Sequence, residues 1–179
     1  MKNIKAIIFD AYGTLFDVNS AAEKCKDKIG NKWEGFANFW RTTQLEYTWL
    51  RSIMGRHKDF WQITGDSLDK SMKAFKIDEG MKKELLDLYK ILSPYPEVKE
   101  TLKKLREKEY KVAILSNGTP DLLNELVDSN NLKGLFDNIF SIEKVGIFKP
   151  SSRVYDMPII KYGIQKEEVM FLSANTWDV

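Results

Sequence analysis

Three short apolar runs in this chain each end in a polar residue that could do chemistry. Apolar, β-branched runs of this length are typical of the buried strands of a parallel sheet. Because ligands of open α/β sheets bind just beyond the carboxyl ends of the strands, these runs direct a carboxylate, a hydroxyl and two amides toward one crevice. The runs are Ala6–Phe9 before Asp10, Val112–Leu115 before Ser116 and Asn117, and Val169–Leu172 before Ser173 and Asn175.

Asp10 is the first candidate for a reactive group. A carboxylate that acts as a nucleophile must be ionised and partly desolvated. Lys149, which precedes Pro150, could supply the nearby positive charge that keeps it ionised. An aspartate at the end of a strand can equally well cap the following turn, and the spacing of the residues alone leaves both interpretations open.

Two predicted helix starts lie beside the proposed crevice. Thr119 precedes Pro120, and Ser151 and Ser152 follow Pro150, which are combinations favoured at helix N-termini. Helix N-termini present free N–H groups and the positive end of the helix dipole, so they attract anions. The ligand is therefore expected to be an anion.

The order of the predicted elements indicates an α/β fold. No strand pattern interrupts residues 20–92, and the prolines of Ser93–Pro96 end that helical stretch. Strands and helices then alternate, which predicts βαβ units and a parallel sheet. The predicted strands are 4–9, 111–115, 138–142 and 168–172, and the predicted helices are 20–30, 33–54, 58–76, 81–92, 97–108, 120–129 and 152–162.

We therefore expect a Rossmann-like core with a parallel sheet and one helical insertion. Residues 1–18 and 95–179 would form the α/β core domain, and residues 19–94 would form a helical domain inserted after the first strand. At 179 residues the chain is long enough for one packed core of this kind with a small insertion.

The composition excludes several classes of function. The chain has 28 basic and 26 acidic residues and a net charge of +2, which gives no electrostatic case for binding nucleic acid or an anionic membrane. No apolar stretch approaches the roughly 18 residues of a membrane span, and no signal-peptide pattern precedes the first strand. One cysteine, Cys25, and one histidine, His57, indicate a reducing, cytoplasmic location and leave no Cys/His zinc site.

Four short motifs resemble those of the haloacid dehalogenase superfamily in order and spacing, and more narrowly those of the L-2-haloacid dehalogenases. The segment Trp40–Ser52 closely resembles the cap helix of that subfamily, so residues 19–94 would be its helical cap domain. The resemblance runs from residue 4 to residue 178. The motifs are Asp10–Thr14, Ser116–Gly118, Lys149–Pro150 with Arg153–Tyr155 after it, and Ser173–Asp178.

Tyr12 distinguishes between the reaction classes of that superfamily. Phosphatases of the superfamily carry a second aspartate at this position, as the acid for the leaving alkoxide, and they bind Mg²⁺ with it. A halide leaves without protonation, and Tyr12 offers an apolar wall with a hydroxyl tip. The last motif also has one acid, Asp178, where metal-binding relatives usually offer two. The resemblance thus implies dehalogenation without a metal or any other cofactor.

The resemblance implies a reaction in two steps on a small 2-halocarboxylate. Asp10 attacks the α-carbon, displaces the halide and forms an ester. Asp178 then activates a water molecule that attacks the carboxylate carbon of Asp10 and releases an inverted 2-hydroxy acid. Lys149 keeps Asp10 ionised, Ser173 and Thr14 support the nucleophile, Tyr155 braces Lys149, and Asn175 positions the acid groups.

The resemblance also implies a set of substrate-binding residues. Arg41 and Leu45 are four residues apart and so share one face of a helix. Taken singly, each residue of the set would be an ordinary surface, core, capping or turn residue, and only the joint match favours the binding roles. Ser116 with the turn amides at Ala11 would hold the substrate carboxylate, Arg41 and Asn117 would receive the halide, and Tyr12, Leu45, Phe60 and Trp177 would line the alkyl pocket.

The sequence departs from the family pattern in two places. Thr42 stands where close members carry a polar amide, and the chain stops at Val179, where members continue with a further strand and helix. We therefore expect the C-terminal strand and helix to be missing, a weakened fold and a mobile Asp178. A superfamily phosphatase and an inactive truncated relative stay open as alternatives. The family tends to form homodimers through the cap helices, so a homodimer is implied here.

Overall fold

The computed structural model describes residues 3–179, which divide into two compact units. The first unit comprises the described residues up to Phe16 together with Pro94–Val179, and the second comprises Asp17–Ser93. In chain order the elements are β1 (Ala6–Phe9), α1 (Ser20–Lys24), α2 (Lys26–Ile29), α3 (Trp33–Ile53), α4 (Phe60–Phe75), α5 (Lys82–Lys90), α6 (Val98–Glu107), β2 (Lys111–Ser116), α7 (Pro120–Ser129), β3 (Asn138–Ser141), α8 (Ser152–Tyr162) and β4 (Val169–Leu172).

The first unit contains a parallel sheet with the strand order β3-β2-β1-β4. The register pairs Phe9 of β1 with Ile114 of β2 and with Leu172 of β4. The strands therefore end at nearly the same level, and Asp10 and Ser173 follow on neighbouring strands. This confirms the expected α/β fold with a parallel sheet, and it explains why residues distant in sequence meet at one edge.

The strands differ in burial according to their place in the sheet. All residues of β1 are buried, and so are the last five of β2. The expectation of a third buried strand was wrong for β4, where Met170 is 44% exposed and Leu172 is 37% exposed. The physical reason is that β4 is an edge strand, so its side chains have fewer neighbours than those of β1 and β2.

The second unit is helical and is built around the pair α3 and α4. Phe36 and Trp40 of α3 are buried, and the indole Nε1 of Trp40 donates a hydrogen bond to the main-chain oxygen of Thr64 at 3.0 Å. Asp59 caps α4, because its carboxylate accepts a hydrogen bond from Gln62 N at 2.8 Å. The unit therefore combines an aromatic core with a locally encoded helix start.

One predicted helix is broken in the structure. Residues 20–30 form two short helices, α1 and α2, which meet at the buried Cys25. Gly30 then adopts a φ of +76°, a backbone conformation that glycine tolerates and that ends α2. None of the helices in residues 3–179 combines the length and the apolar character that a membrane span requires.

Candidate active site

A tight turn after β1 wraps around the carboxylate of Asp10. Gly13 adopts a φ of +88°, which favours glycine, and the turn closes with a hydrogen bond from Gly13 N to Phe16 O at 2.8 Å. This path returns Thr14 toward the strand end, where its hydroxyl donates to Asp10 Oδ2 at 3.1 Å. The turn therefore directs the chain and also places a hydrogen-bond donor against Asp10.

A second donor reaches the same oxygen of Asp10. The side-chain amide of Asn175 donates to Asp10 Oδ2 at 2.8 Å and to the main-chain oxygen of Tyr12 at 3.1 Å. Ala174 N donates to the hydroxyl of Thr14 at 2.9 Å, which fixes that hydroxyl in turn. Asp10 Oδ2 thus accepts two hydrogen bonds from groups that are themselves held in place.

Lys149 lies between two buried carboxylates. Its side chain is 0% exposed, and its Nζ lies 3.0 Å from Asp10 Oδ1 and 2.8 Å from Asp178 Oδ2. The main-chain N of Lys149 donates to Asn117 Oδ1 at 3.0 Å, which anchors the residue to the end of β2. A buried ammonium in this position needs paired charges, and the two aspartates supply them.

Asp178, which is expected from the sequence to be mobile, has two hydrogen-bond donors in the structure. Its side chain is fully buried, and it accepts hydrogen bonds from Lys149 Nζ and from the hydroxyl of Tyr155. Burial raises the pKa of Asp178, while the charge of Lys149 and the hydrogen bonds from Lys149 and Tyr155 act in the opposite direction. Asp178 is therefore an aspartate whose basicity is increased by its site.

Tyr155 contacts a different partner from the one that the resemblance implies. We expect it to brace Lys149, yet its hydroxyl donates to Asp178 Oδ1, because a carboxylate offers a charged acceptor and an ammonium offers only donors. Burial, together with this bond, raises the pKa of the Tyr155 phenol. The phenol therefore stays protonated and continues to donate at neutral pH.

Gly118 lies against Tyr12, a neighbour that the sequence does not reveal. A Cβ atom at residue 118 would lie 2.8 Å from Cε2 of Tyr12 and 3.0 Å from Cδ2 of Leu123, which leaves no room for a side chain. Gly118 N donates to the hydroxyl of Ser116 at 3.1 Å, and its oxygen accepts from Ser141 Oγ at 2.6 Å. The Ser-Asn-Gly order was the available signal, but it does not name Tyr12 as the neighbour.

The structure brings together the predicted residues of the first unit. Asp10, Thr14, Lys149, Tyr155, Asn175 and Asp178 form one hydrogen-bonded group. The hydroxyl of Ser173, expected to support Asp10, accepts a hydrogen bond from Asn175 N at 3.1 Å and so acts through Asn175. Ala11 and Tyr12 are buried in the turn after β1, and Trp177 is half-buried beside Asp178 in the chain.

Three predicted substrate residues belong to the helical unit. Arg41 and Leu45 lie one turn apart on α3, and Phe60 begins α4. The guanidinium of Arg41 donates to Gln44 Oε1 at 2.9 Å, and the buried Gln44 in turn donates to the hydroxyl of Thr64 at 2.7 Å. The link from Arg41 to Gln44 was not foreseen, and the substrate roles of these residues stay predictions.

The arrangement can supply a nucleophile and a base at one place. Asp10 Oδ1 has the ammonium of Lys149 as its hydrogen-bond donor, whereas Asp10 Oδ2 has two donors. Asp178 contacts the same ammonium at 2.8 Å. The site therefore presents two buried carboxylates to one ammonium, and burial raises the pKa of Asp178 above the usual value for an aspartate.

Comparisons with known proteins agree on one group of relatives. The model of a family described as haloacid dehalogenase-like hydrolase matches residues 4–179. (S)-2-haloacid dehalogenase 1 of Pseudomonas sp. (strain CBS-3) is 41% identical over 181 residues, which cover 100% of this chain and 80% of the relative. (S)-2-haloacid dehalogenase 4A of Burkholderia cepacia is 38% identical, with coverages of 99% and 78%.

A solved structure shows the same relationship. The L-2-haloacid dehalogenase of Xanthobacter autotrophicus with chloropropionic acid covalently bound matches with a TM-score of 0.89 and 38% identity. The match covers 98% of this chain and 71% of that one. The chain thus spans about four fifths of the curated relatives named above and about 70% of this crystallised one.

Proposed function

Since the chain belongs to the haloacid dehalogenase-like hydrolases, we propose that it hydrolyses L-2-haloalkanoic acids to 2-hydroxy acids through an ester of Asp10, without a cofactor. The observation that carries the proposal is the placement of Lys149 Nζ between Asp10 and Asp178, at 3.0 Å and 2.8 Å. The names of the relatives, and the covalently bound chloropropionic acid in one of them, support the same chemistry.

In the first step Asp10 Oδ1 attacks the α-carbon of the substrate. A carbon–oxygen bond forms, the carbon–halogen bond breaks, and the halide leaves with the electron pair. Thr14 and Asn175 hold Oδ2, so the carboxylate keeps one orientation while Oδ1 reacts. Because the carbon is attacked once from the back, the configuration inverts.

In the second step Asp178 takes a proton from a water molecule, and the water oxygen attacks Cγ of Asp10. Negative charge develops on Asp10 Oδ2, which the hydroxyl of Thr14 and the amide of Asn175 already face, as in an oxyanion hole. The bond between Cγ and Oδ1 then breaks, and the proton held by Asp178 passes to the departing alkoxide. Asp10 is left with the oxygen atom and the second proton of the water molecule, and loss of that proton to solvent regenerates the carboxylate.

The binding roles of the remaining predicted residues are part of the proposal. The hydroxyl of Ser116 and the amides of the turn at Ala11 would hold the substrate carboxylate. Tyr12 is buried in the turn after β1 and would replace, with an apolar wall, the acid that phosphatases use there. Arg41 and Asn117 would receive the halide, and Tyr12 would be joined by Leu45, Phe60 and Trp177 around the alkyl group.

We also propose a homodimer that works in the cytoplasm. Apolar side chains at the C-terminal end of α3 are exposed, with Leu50 at 50%, Ile53 at 83% and Met54 at 53%, and such clusters favour protein contacts. Sedimentation of the protein and of Ile53→Lys should show a dimer that the substitution weakens, and a monomer in both samples would contradict this. The lone Cys25 suits a reducing compartment, which fractionation of the source cells would check.

Halide release from L-2-chloropropionate tests the proposed function. The D-enantiomer, EDTA and Asp10→Asn serve as the three controls. We expect release that is confined to the L-substrate, resists EDTA and is lost in the variant. Absence of release from a folded sample, or Mg²⁺-dependent hydrolysis of a phosphate ester instead, would contradict the proposal.

A further inference from the structure

Phe171 of β4 contacts two groups of the active site with one ring. The ring centroid lies 4.9 Å from Lys149 Nζ, within the range of a cation–π interaction. The same ring meets the ring of Tyr155 edge to face, with centroids 5.6 Å apart and an interplanar angle of 84°. Phe171 therefore touches both the ammonium and the phenol.

Both of these groups donate to the same carboxylate. Lys149 Nζ donates to Asp178 Oδ2 at 2.8 Å, and the hydroxyl of Tyr155 donates to Asp178 Oδ1. Phe171 itself is too apolar to bond to Asp178, so it acts through its two neighbours. It is half-buried. Its backbone belongs to β4, two residues before Ser173, so the ring is anchored on the sheet.

The ring also gives Lys149 an attractive contact that no aliphatic residue could give. The ammonium is paired with Asp10 at 3.0 Å and with Asp178 at 2.8 Å. The negative face of the Phe171 ring adds a cation–π interaction to these two ion pairs. An aliphatic side chain would occupy similar space without this attraction. The ammonium would then keep its two carboxylate partners but lose the contact that holds it against β4.

We propose that Phe171 is a positioning residue that fixes Lys149 and Tyr155 on Asp178. Its expected effect on the rate rests on the proposed function, whereas its effect on geometry does not. Because Asp178 acts in the hydrolysis of the ester, loss of the ring should slow that step most. The substrate itself does not need to contact Phe171, so its binding should change little.

The test compares ring removal, ring retention and a matched core substitution. Phe171→Leu removes the ring and Phe171→Tyr retains it. Phe140→Leu is the control, because Phe140 of β3 makes the same kind of contact with Tyr162 of α8, with centroids 5.9 Å apart at 84°. For each variant kcat, KM, the melting temperature and the amount of Asp10 ester trapped during turnover are measured, the last by mass spectrometry.

We expect Phe171→Leu to lower kcat by about tenfold and to lower KM in parallel, so that kcat/KM changes by less than about twofold; the loss of kcat is equivalent to about 1.4 kcal/mol in the barrier to ester hydrolysis. The trapped ester should increase, and Phe171→Tyr should recover most of kcat. Phe140→Leu should lower the melting temperature and leave kcat unchanged. Equal losses of kcat in Phe171→Leu and Phe140→Leu, or a loss of kcat/KM that comes from a raised KM, would overturn the proposal.

Failure of the proposed function can be distinguished from failure of the positioning role of Phe171. If the unmodified protein releases no halide from any L-2-haloacid, the proposed function fails, and crystal structures of the protein and of Phe171→Leu still test the positioning role. Displacement of Lys149 Nζ or of the Tyr155 hydroxyl from Asp178 in the variant would support it. Unchanged positions of both groups would overturn it.

Discussion

The two oxygens of Asp10 have different surroundings, and the proposed steps use that difference. Oδ2 accepts from Thr14 and Asn175, which would stabilise the charge that develops on it when the ester is hydrolysed. We predict that Thr14→Val lowers kcat by about 100-fold, as for the loss of one oxyanion donor, and that the Asp10 ester accumulates. Thr14→Ser keeps the hydroxyl and should retain most activity; equal rates for the two variants would contradict the role of Thr14.

The raised pKa of Asp178 predicts the acidic side of the pH profile. Asp178 must be deprotonated to accept a proton from water, so activity is lost as the pH falls through its pKa. Burial raises this pKa above the ordinary aspartate value of about 3.9, and the acidic limb of kcat should therefore lie above that pH.

Tyr155→Phe should move this limb to higher pH. The substitution removes a hydrogen bond that stabilises the ionised form of Asp178, while the ring that packs on Phe171 is kept. Tyr162→Phe is the matched control on the same helix, α8, and should leave the limb in place. A limb that stays fixed, or that moves to lower pH in Tyr155→Phe, would show that it does not report Asp178.

Gly118 should not tolerate a side chain. In Gly118→Ala the new Cβ would lie 2.8 Å from the ring of Tyr12, and overpacking of this kind costs about 1–3 kcal/mol. We predict a lower melting temperature together with a higher KM, because Tyr12 is proposed to line the alkyl pocket. An unchanged melting temperature and an unchanged KM would mean that the contact between residue 118 and Tyr12 accommodates a methyl group without strain.

At the scale of elements, α4 depends on a cap that can be removed alone. The Asp59 carboxylate accepts from Gln62 N at 2.8 Å, and loss of such a cap costs about 1 kcal/mol. Asp59→Ala should therefore lower the urea midpoint of the transition that reports the helical unit. Lys58→Ala, one residue earlier, should have little effect, and similar midpoints for the two variants would contradict the capping role.

The order of the elements could be predicted from the sequence because the pattern of apolar residues agrees with the positions of the residues that begin and end helices and strands. Apolar runs ended by polar residues predicted the strands, and Thr119 before Pro120 predicted the start of α7, where the Thr119 hydroxyl accepts from Leu122 N. The break at Cys25 was missed, because the residues on both sides of it fit a continuous helix. The exposure of Met170 and Leu172 was missed because a run of apolar residues does not reveal which strand lies at an edge.

The site could be predicted only as a set of residues and not as a set of contacts. Asp10, Ser116 and Ser173 lie at strand ends, and the register that aligns those ends follows from the fold. The bond from Tyr155 to Asp178 and the ring of Phe171 beside Lys149 depend on side-chain directions, which spacing along the chain does not give. Gly118 is a similar case, because its importance comes from Tyr12, more than one hundred residues earlier in the chain.

At the scale of the whole molecule, a low net charge and an exposed edge strand both favour aggregation. A net charge of +2 gives little mutual repulsion, and β4 presents Met170 and Leu172 at the edge of the sheet, where strands invite pairing. Met170→Lys should reduce aggregation, as measured by light scattering, without lowering the rate of halide release. Ile160→Lys, an exposed position on α8, adds the same charge away from the sheet edge and should help less; equal benefit would point to net charge alone.

The central claim is that the oxygen added to the substrate comes from Asp10, and a single turnover in H₂¹⁸O tests it directly. With enzyme in excess over L-2-chloropropionate, the product hydroxyl should carry unlabelled oxygen and the peptide that contains Asp10 should gain one ¹⁸O atom. The reason is that water attacks Cγ of Asp10 and Oδ1 leaves with the product. Label in the product during the first turnover, with an unlabelled Asp10, would mean that water attacks the substrate directly and would contradict this account.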